Sequence, residues 1–303
     1  MKVWIPHPQG PQLLRSQLPA DVTVEVYAEG GQFPSDPAQV DVLTPPFLGD
    51  ADQIGLKAMS RLRVIRRLTA GAVLWVGMTP PGVVLCDARG VHTSSTSEWV
   101  VAAILSYLRQ FPRFARAQAA RHWDYTPTDE LAGKRVLIVG AGDIGEATAR
   151  RLAPFEVELT RVARQARPGV RGIGELPDLL PHADVVVILT PLTDQTAQLV
   201  DAGFLAQMAD GALLVNAARG PVADTDALAD ALASGRINAA LDVTDPEPLP
   251  ADHPLWSMPN VLLTPHVAGS VGGMAPRAYR LVAEQVRRLH AGEELQNVVT
   301  DGY

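Results

Sequence analysis

The chain has 303 residues, of which 47% are hydrophobic and 19% are charged. This composition excludes a disordered or low-complexity protein, and the length favours two domains. The formal net charge of −7 argues against a broad nucleic-acid-binding surface, so we predict no nucleic-acid partner. Because Cys86 is the single cysteine, an intrachain disulfide and a cysteine-rich metal site are excluded, and we predict no metal.

No apolar run in the sequence approaches the roughly 20 residues that a membrane-spanning helix needs. The longest runs cover residues 99–105 and 185–189. Residues 1–6 lack the pattern of a secretory signal and are better interpreted as a first strand. We therefore predict a cytoplasmic protein that does not interact with a membrane.

Short β-branched runs alternate with amphipathic stretches along the chain, which is typical of parallel sheets covered by helices. The first third predicts strands at residues 3–5, 22–26, 40–43, 64–68 and 83–86. A long helix is predicted from residue 96 to about 120, and a loop connects it to residue 133. The second series predicts strands at 135–139, 157–162, 185–189, 213–216, 237–242 and 261–263, and helices at 144–152, 204–208, 223–233 and 276–291.

These elements predict an α/β fold with two Rossmann-like domains, each built on a doubly wound parallel sheet. The second domain is expected to cover residues 96–269. The first domain is expected to be discontinuous, with residues 1–95 and 270–303, because the last helix has no strand after it and can pack on the first domain.

An apolar strand at residues 136–139 runs into a G-x-G-x-x-G loop. Gly140 allows the tight turn, Gly142 lets the backbone approach a pyrophosphate, and Gly145 lets the helix pack close to the strand. The phosphates would meet backbone N–H groups at the start of the helix. The predicted coenzyme contacts in this loop are Gly140, Gly142, Asp143, Ile144 and Gly145; the alternative is an ordinary tight turn.

The next strand ends at Ala163, where a dinucleotide site usually carries a carboxylate that binds the ribose hydroxyls. Arg161, Arg164 and Arg167 surround that position instead. Guanidinium groups would bind a 2′-phosphate, which a carboxylate would repel. We therefore favour NADP over NAD and predict Arg161 and Arg164 as coenzyme contacts. The alternative is that these arginines are only solvent-exposed residues of a loop.

Arg219, Glu247 and His266 each follow one of the last three predicted strands. Ligands bind at the carboxyl ends of strands in open α/β sheets, so these side chains are expected to meet at one edge. An isolated arginine before a glycine, or an isolated Thr-Pro-His, is more commonly structural, and Asp245 competes with Glu247 for its role. Their joint arrival at one edge predicts an active site.

Taken in order, these segments resemble the D-isomer-specific 2-hydroxyacid dehydrogenase family, from about residue 64 to residue 299. The motifs that carry the resemblance, besides the glycine loop, are Thr190-Pro191-Leu192-Thr193, Asn216-Ala217-Ala218-Arg219-Gly220, Asp242 with Glu247-Pro248-Leu249, His253-Pro254-Leu255 and Thr264-Pro265-His266. The stretch at residues 68–71, and Thr96 with Glu98, also resemble the family's substrate loop and its helix entry.

The resemblance implies that residues 96–269 form the dinucleotide-binding domain, that the discontinuous domain is the substrate domain, and that a cleft lies between them. It also implies a role for each residue of this set. Arg219 would bind the carboxylate and the carbonyl oxygen of a 2-keto acid, because a planar guanidinium does so with two hydrogen bonds. His266 would donate the proton in reduction and accept it in oxidation, and Glu247 would orient its imidazole. The backbone near Ala70 and Gly71 would bind the substrate carboxylate. The further implied coenzyme contacts are Thr96, Thr190, Pro191, Ala217, Arg219, Asp242, His266 and Gly269, with Asp242 on the nicotinamide carboxamide.

The implied activity is reduction of a small 2-keto acid, such as glyoxylate or hydroxypyruvate, to the D-2-hydroxy acid with NAD(P)H. Glu247 replaces the glutamine of the formate-oxidising branch, which argues against formate. The alternative function is that of a nucleotide-sensing, corepressor-like binding protein on the same fold. A homodimer is expected by resemblance, formed through the 96–120 helix and its neighbours. The substrate pocket is expected to involve residues 45–48, Leu74-Trp75 and Trp256.

Overall fold

The computed structural model describes residues 1–28, 33–46 and 55–300. Its strands are β1 (Lys2–Ile5), β2 (Thr23–Val26), β3 (Val42–Leu43), β4 (Val64–Arg66), β5 (Val84–Cys86), β6 (Arg135–Val139), β7 (Glu158–Ala163), β8 (Arg171–Gly172), β9 (Val185–Ile188), β10 (Leu213–Asn216), β11 (Asn238–Leu241) and β12 (Val261–Leu263). Its α-helices are α1 (Gly10–Leu14), α2 (Val73–Val76), α3 (Thr93–Leu108), α4 (Phe111–Ala119), α5 (Asp143–Leu152), α6 (Leu176–Leu179), α7 (Ala202–Gln207), α8 (Thr225–Ala233) and α9 (Met274–Ala291).

The chain divides into two compact units. Unit 1 comprises Met1–His92 with Gly272–Tyr303, and unit 2 comprises Thr93–Val271. Unit 2 therefore begins three residues before the predicted limit at residue 96, because helix α3 starts at Thr93 and belongs to it as a whole. The assignment of a substrate domain and a dinucleotide-binding domain to these units stays a prediction.

Unit 1 contains a five-stranded sheet in the order β2-β1-β3-β4-β5, in which every pairing is parallel. Helix α9 covers one face of this sheet. It buries Ala278, Tyr279, Val282 and Val286, which recur at helical spacing and pack with strand residues such as Val3. The apolar periodicity of α9 thus explains why the last helix of the chain belongs to the first unit.

Unit 2 contains a seven-stranded parallel sheet in the order β12-β11-β10-β9-β6-β7-β8. All four residues of β9 are buried, as expected for a central strand with helices on both faces. The strand order reverses between β6 and β9, because the chain turns from β6 towards β7 and later returns to β9 on the other side. Such a reversal opens a ligand-binding crevice at the carboxyl ends of the strands, and the glycine loop follows β6 at this point.

The predicted single helix from residue 96 to 120 is wrong. The structure has two helices, α3 and α4, separated at residues 109–110. Gln110 has a φ of 56°, in the left-handed region, and Pro112 stands in the first turn of α4, where its missing N–H is tolerated. All predicted strands of both series are present. Those at 135–139, 213–216 and 261–263 have the predicted bounds and the others have shifted ends, while short elements such as β8 and α6 were not predicted.

Among the described residues, no helix combines the length and the apolar character required to cross a membrane. The cytoplasmic location stays a prediction.

Candidate active site

The three predicted catalytic segments follow neighbouring strands of unit 2. Strands β10, β11 and β12 lie side by side and run parallel, with Asn216 opposite Leu241 and Leu241 opposite Leu263. Their carboxyl ends therefore lie next to one another, and the segments that carry Arg219, Glu247 and His266 leave the sheet at one edge.

The turn that carries Arg219 is held by a buried amide. Asn216 is only 1% exposed; its Oδ1 accepts a hydrogen bond from the backbone N–H of Ala218 at 3.0 Å, and its Nδ2 donates to the carbonyl of Arg219 at 3.3 Å. The exposed Arg219 side chain donates from Nη1 to the carbonyl of Ala218 at 2.6 Å. Both ends of the turn are thus fixed to the end of β10, which limits where the guanidinium can lie.

Gly220 joins this turn to the segment that carries Glu247. A Cβ atom at Gly220 would lie 1.8 Å from the carbonyl oxygen of Thr244 and 2.8 Å from the backbone nitrogen of Asp245. Because no side chain fits there, the backbones of the two segments are in direct contact. The hydroxyl of Thr225 adds a hydrogen bond of 2.8 Å to the carbonyl of Asp245.

Glu247 connects that segment to His266. Its Oε2 lies 2.8 Å from the imidazole Nδ1, and its Oε1 accepts a hydrogen bond of 3.1 Å from the backbone N–H of Thr244. Of the two carboxylates considered from the sequence, it is therefore Glu247 rather than Asp245 that contacts the imidazole. When Nδ1 carries its proton towards this carboxylate, Nε2 is the nitrogen that can exchange a proton with a ligand.

Asp242 holds the backbone on both sides of His266. The carboxylate is 2% exposed and accepts hydrogen bonds from the hydroxyl of Thr264 at 2.6 Å and from the backbone N–H groups of Val267 and Ala268 at 2.8 and 2.9 Å. The backbone N–H of His266, whose φ is 53°, donates to the carbonyl of Asp242 at 2.7 Å. This anchoring was not predicted from the sequence; the predicted contact of Asp242 with a coenzyme stays a prediction.

The glycine loop of unit 2 has the geometry that a dinucleotide requires. Gly140 has a φ of +117°, and a Cβ atom there would lie 2.6 Å from the carbonyl group of Leu189. A Cβ atom at Gly145 would lie 1.9 Å from the carbonyl oxygen of Gly140, whereas one at Gly142 would have no neighbour within 4 Å. The loop is thus closed on the strand side and open at Gly142, before helix α5 begins at Asp143.

Thr190 follows β9 next to this loop and is 9% exposed. Its Oγ1 is buried and makes no hydrogen bond to any part of the chain that the structure describes. A buried hydroxyl without a partner is costly unless a ligand supplies one. Together with the open side of Gly142, it shows that the residues present fit a bound dinucleotide.

The three arginines near the end of β7 have different surroundings. Arg161 donates from Nη1 to Glu146 Oε2 at 2.5 Å and from Nη2 to the carbonyl of Gly169 at 3.1 Å. Arg164 is exposed. Arg167, the third arginine near the end of β7, donates from Nη2 to the carbonyl of Ala141 in the glycine loop at 2.7 Å.

The other predicted site residues lie in several places. In unit 2, Thr96 is buried in α3, Pro191 is exposed, and Ala217 and Gly269 are partly buried. Ala70 and Gly71 are partly buried in unit 1, after β4. Of the predicted substrate pocket, residues 47 and 48 lie outside the described residues, Trp75 is buried in unit 1 and Trp256 is 55% exposed in unit 2.

Cys86 is not a candidate nucleophile. It is buried in β5, and this burial raises the pKa of its thiol to about 11. The side-chain amide of Gln285 donates a hydrogen bond of 2.9 Å to Sγ. The sulfur therefore keeps its proton at neutral pH and is unreactive.

Comparisons with known proteins agree with this geometry. Residues 101–268 match the family model described as D-isomer specific 2-hydroxyacid dehydrogenase, NAD binding domain. A glyoxylate reductase from Thermofilum pendens is 36% identical over 228 residues, which cover 71% of this chain and 67% of that protein. The chain spans about half the length of the D-3-phosphoglycerate dehydrogenase of Mycobacterium tuberculosis, to which it is 35% identical (48% of that protein is covered).

Two solved structures cover nearly the whole chain. A D-isomer specific 2-hydroxyacid dehydrogenase from Xanthobacter autotrophicus Py2, in complex with NADPH and MES, has a TM-score of 0.85 and 32% identity over 99% of both chains. An NADPH-dependent glyoxylate/hydroxypyruvate reductase from Sinorhizobium meliloti, in complex with NADP and sulfate, has a TM-score of 0.83 and 27% identity, and the match covers 98% of this chain and 97% of that one.

Proposed function

The chain belongs to the D-isomer-specific 2-hydroxyacid dehydrogenase family, and from that premise we propose that it reduces a small 2-keto acid of the glyoxylate or hydroxypyruvate type to the D-2-hydroxy acid. As a family member it is an NAD(P)-dependent oxidoreductase that binds a nicotinamide coenzyme and a small acid. The observation that carries the proposal is the 2.8 Å contact between Glu247 and His266, at the sheet edge where Arg219 also emerges.

Each of these three side chains has a distinct task in the proposed reaction. Nε2 of His266 donates the proton to the carbonyl oxygen in reduction and takes it back in oxidation, while Glu247 fixes the ring orientation and stabilises the charged imidazole. The guanidinium of Arg219 binds the substrate carboxylate with two parallel hydrogen bonds and stabilises the negative charge that develops on the carbonyl oxygen. The nicotinamide coenzyme, when bound, supplies the hydride.

The coenzyme is proposed to bind in the crevice between β6 and β9, where the strand order reverses. The backbone N–H groups of Gly142, Asp143 and Ile144, at the start of α5, would bind the pyrophosphate, and the buried hydroxyl of Thr190 would donate to the dinucleotide. Thr96, Pro191, Ala217, Asp242 and Gly269 are the further proposed contacts. In unit 1, the backbone of Ala70 and Gly71 is the proposed contact for the substrate carboxylate.

We propose NADP as the preferred coenzyme. β7 ends at Ala163, which offers no carboxylate to the ribose hydroxyls, and the exposed Arg164 follows it directly. Arg167 adds a second guanidinium beside the glycine loop. Two of the similar structures named above contain NADPH or NADP, which supports the same choice.

The experiment that tests the activity follows the absorbance of the reduced coenzyme at about 340 nm with purified protein, and NADPH and NADH are assayed in parallel. The substrates are 2-keto acids from glyoxylate and hydroxypyruvate to phenylpyruvate. We expect oxidation of NADPH with the two small keto acids and slower oxidation of NADH. Turnover only with bulky keto acids would contradict the substrate class. No turnover with the whole panel, while coenzyme still binds, would favour the binding-protein alternative.

Gly220→Ala is expected to lower kcat about 100-fold or more while the protein stays folded. The added methyl group overlaps the carbonyl oxygen of Thr244, so the Arg219 turn and the Glu247 segment must move apart. A displacement of about 1 Å at reacting groups costs on the order of 100-fold in rate. Steady-state kinetics and thermal unfolding measure the two effects separately. The matched control is Gly174→Ala, since a Cβ atom there has no neighbour within 4 Å; equal kinetics for both variants would contradict the proposed coupling.

We further propose that the protein is a homodimer that pairs through α4 and the segment after it. None of the residues of α4 is buried, and three large aromatic side chains are exposed in this region: Phe111 by 59%, Trp123 by 92% and Tyr125 by 88%. Exposed apolar side chains of this size mark an interaction surface. A groove of about 560 Å³ lies beside them and is lined by residues that include Gln110 and Thr126.

The double variant Trp123→Ala/Tyr125→Ala is expected to raise the dimer dissociation constant at least tenfold, because buried aromatic residues dominate most protein interfaces. Sedimentation velocity over a range of concentrations measures this constant. Phe155→Ala, which removes an aromatic side chain that is 37% exposed elsewhere in unit 2, is the control. A wild-type monomer, or an unchanged dissociation constant in the double variant, would refute this interface.

A further inference from the structure

We infer that Arg161 is a positioning residue, and that Arg167, held beside the glycine loop by Arg161 and Glu146, determines the selection of a dinucleotide that carries a 2′-phosphate. The inference rests on the proposed use of NADP and names the residues that would produce the preference. It assigns to Glu146, which has no role in the proposed reaction, a function in coenzyme selection.

The guanidinium of Arg161 is engaged on both sides. One Nη group donates to Glu146 at 2.5 Å and the other donates to the carbonyl of Gly169 at 3.1 Å. To bind a phosphate directly, this side chain would have to give up a charge-assisted hydrogen bond to a carboxylate that is about two-thirds buried. Arg161 therefore connects helix α5 to the turn at residues 167–170 and does not face the coenzyme.

That turn is closed by its own backbone. Arg167 and Val170 exchange two hydrogen bonds of 2.9 and 2.8 Å, and Gly169 takes a φ of +76° that few other residues adopt. The contact from Arg161 reaches the turn at Gly169. The turn is thus held by its own backbone hydrogen bonds and by the guanidinium of Arg161, which extends to it from β7.

The same turn places Arg167 at the glycine loop. Its Nη2 donates to the carbonyl of Ala141 at 2.7 Å and lies 4.0 Å from Glu146 Oε1. Ala141 stands between Gly140 and Gly142 of the glycine loop, and the adenosine ribose is expected between this loop and the end of β7. A guanidinium has five N–H donors, and the bond to Ala141 uses one of them. A 2′-phosphate on that ribose would meet the remaining N–H donors of Arg167.

Glu146 is hydrogen-bonded to Arg161 and lies near Arg167, although a carboxylate near a phosphate site is normally unfavourable. Its negative charge is balanced by Arg161 at 2.5 Å and by Arg167 at 4.0 Å. Because these groups are partly exposed, the long-range repulsion of a phosphate by Glu146 is screened, whereas the orientation of Arg161 depends on its direct hydrogen bond to Glu146. The dominant effect of Glu146 is thus to orient Arg161 and, through the contact of Arg161 with the turn at Gly169, to position Arg167.

The test compares the binding of two coenzyme fragments by isothermal titration calorimetry: adenosine 2′,5′-bisphosphate and AMP, which differ only in the 2′-phosphate. Arg167→Ala should raise the dissociation constant of the bisphosphate at least tenfold and leave that of AMP within twofold. Glu146→Gln and Arg161→Gln should each raise the bisphosphate value about threefold to tenfold. The double variant Glu146→Gln/Arg161→Gln should bind the bisphosphate no more weakly than the weaker of its two single variants, because both substitutions break the same contact between Glu146 and Arg161.

The sign of the Glu146→Gln effect decides between positioning and direct binding. If Arg161 were itself a phosphate ligand, this substitution would release it and remove a negative charge, so the bisphosphate would bind more tightly. Tighter or unchanged binding would overturn the inference. Arg161→Lys keeps the positive charge but can donate to only one of the two acceptors, so its dissociation constant for the bisphosphate should lie between those of the wild type and Arg161→Gln. This variant provides a second measurement if a glutamine variant does not fold.

Two controls separate this inference from the proposal beneath it. Glu284→Gln removes a carboxylate that also bridges two arginines, Arg287 and Arg288, but in α9 of unit 1, and it should change neither constant. If the wild type binds AMP as tightly as the bisphosphate, the NADP proposal fails. If the wild type prefers the bisphosphate but Glu146→Gln and Arg161→Gln keep that preference, only the positioning inference fails.

Discussion

His266→Ala is expected to lower kcat by about 10²- to 10⁴-fold, the range associated with a positioned general acid. The imidazole is 45% exposed and is held through Nδ1 by Glu247, so Nε2 can face the substrate carbonyl oxygen. Without it the proton must come from water. Coenzyme affinity should change little, because the glycine loop and Thr190 belong to other strand ends.

The measurement combines kcat with each keto acid and a dissociation constant for the coenzyme from fluorescence titration. His182→Ala is the matched control, since His182 is an exposed histidine of the same unit that precedes β9 at the amino end of the strand. It should retain wild-type kcat. A His266→Ala enzyme that turns over at near wild-type rates would remove His266 from the mechanism.

The parts of the site that the sequence predicts depend on local patterns. The apolar strand at residues 135–139 and the spacing of Gly140, Gly142 and Gly145 lie within a few residues of one another, so they can be recognised without the fold. The same holds for the strand ends before Arg219 and His266. A parallel sheet then brings those ends together, because every strand contributes its carboxyl end to the same edge.

The parts that could not be predicted depend on tertiary neighbours. Asn216 and Asp242 stand at strand ends like many polar residues, and only the folded structure shows their amide and carboxylate on the turns of Arg219 and His266. Arg161 and Glu146 are 15 positions apart on different elements, so their ion pair is not visible as a spacing. One local signal was available: Pro112 could have indicated that the helix predicted at 96–120 is interrupted.

Arg219→Lys is expected to lower kcat/KM by about 10²- to 10³-fold, although it keeps the positive charge. A loss of this size corresponds to roughly 3–4 kcal/mol of transition-state stabilisation, as found when one preorganised donor to a developing oxyanion is removed. Lysine offers one compact ammonium group, which cannot bind a carboxylate through two parallel hydrogen bonds. It also loses the hydrogen bond from Nη1 to the carbonyl of Ala218.

The control is Arg135→Lys, because Arg135 also makes a two-point contact, to Asp184 with distances of 3.2 and 3.0 Å, but lies at the start of β6, at the opposite edge of the sheet. Its kcat/KM should stay within twofold of the wild type. Near-normal kinetics for Arg219→Lys would mean that charge alone suffices and would refute the two-point contact.

Chemical rescue separates a missing guanidinium from a disturbed turn. Added guanidinium ion should restore part of the activity of Arg219→Ala, because the clamp of Asn216 on the backbone at Ala218 and Arg219 does not involve the side chain and should keep the turn in place. The same ion should not rescue Gly220→Ala, in which the backbone itself has moved. Rescue of both variants, or of neither, would contradict the assignment of carboxylate binding to the Arg219 guanidinium and of the turn geometry to the backbone at Gly220.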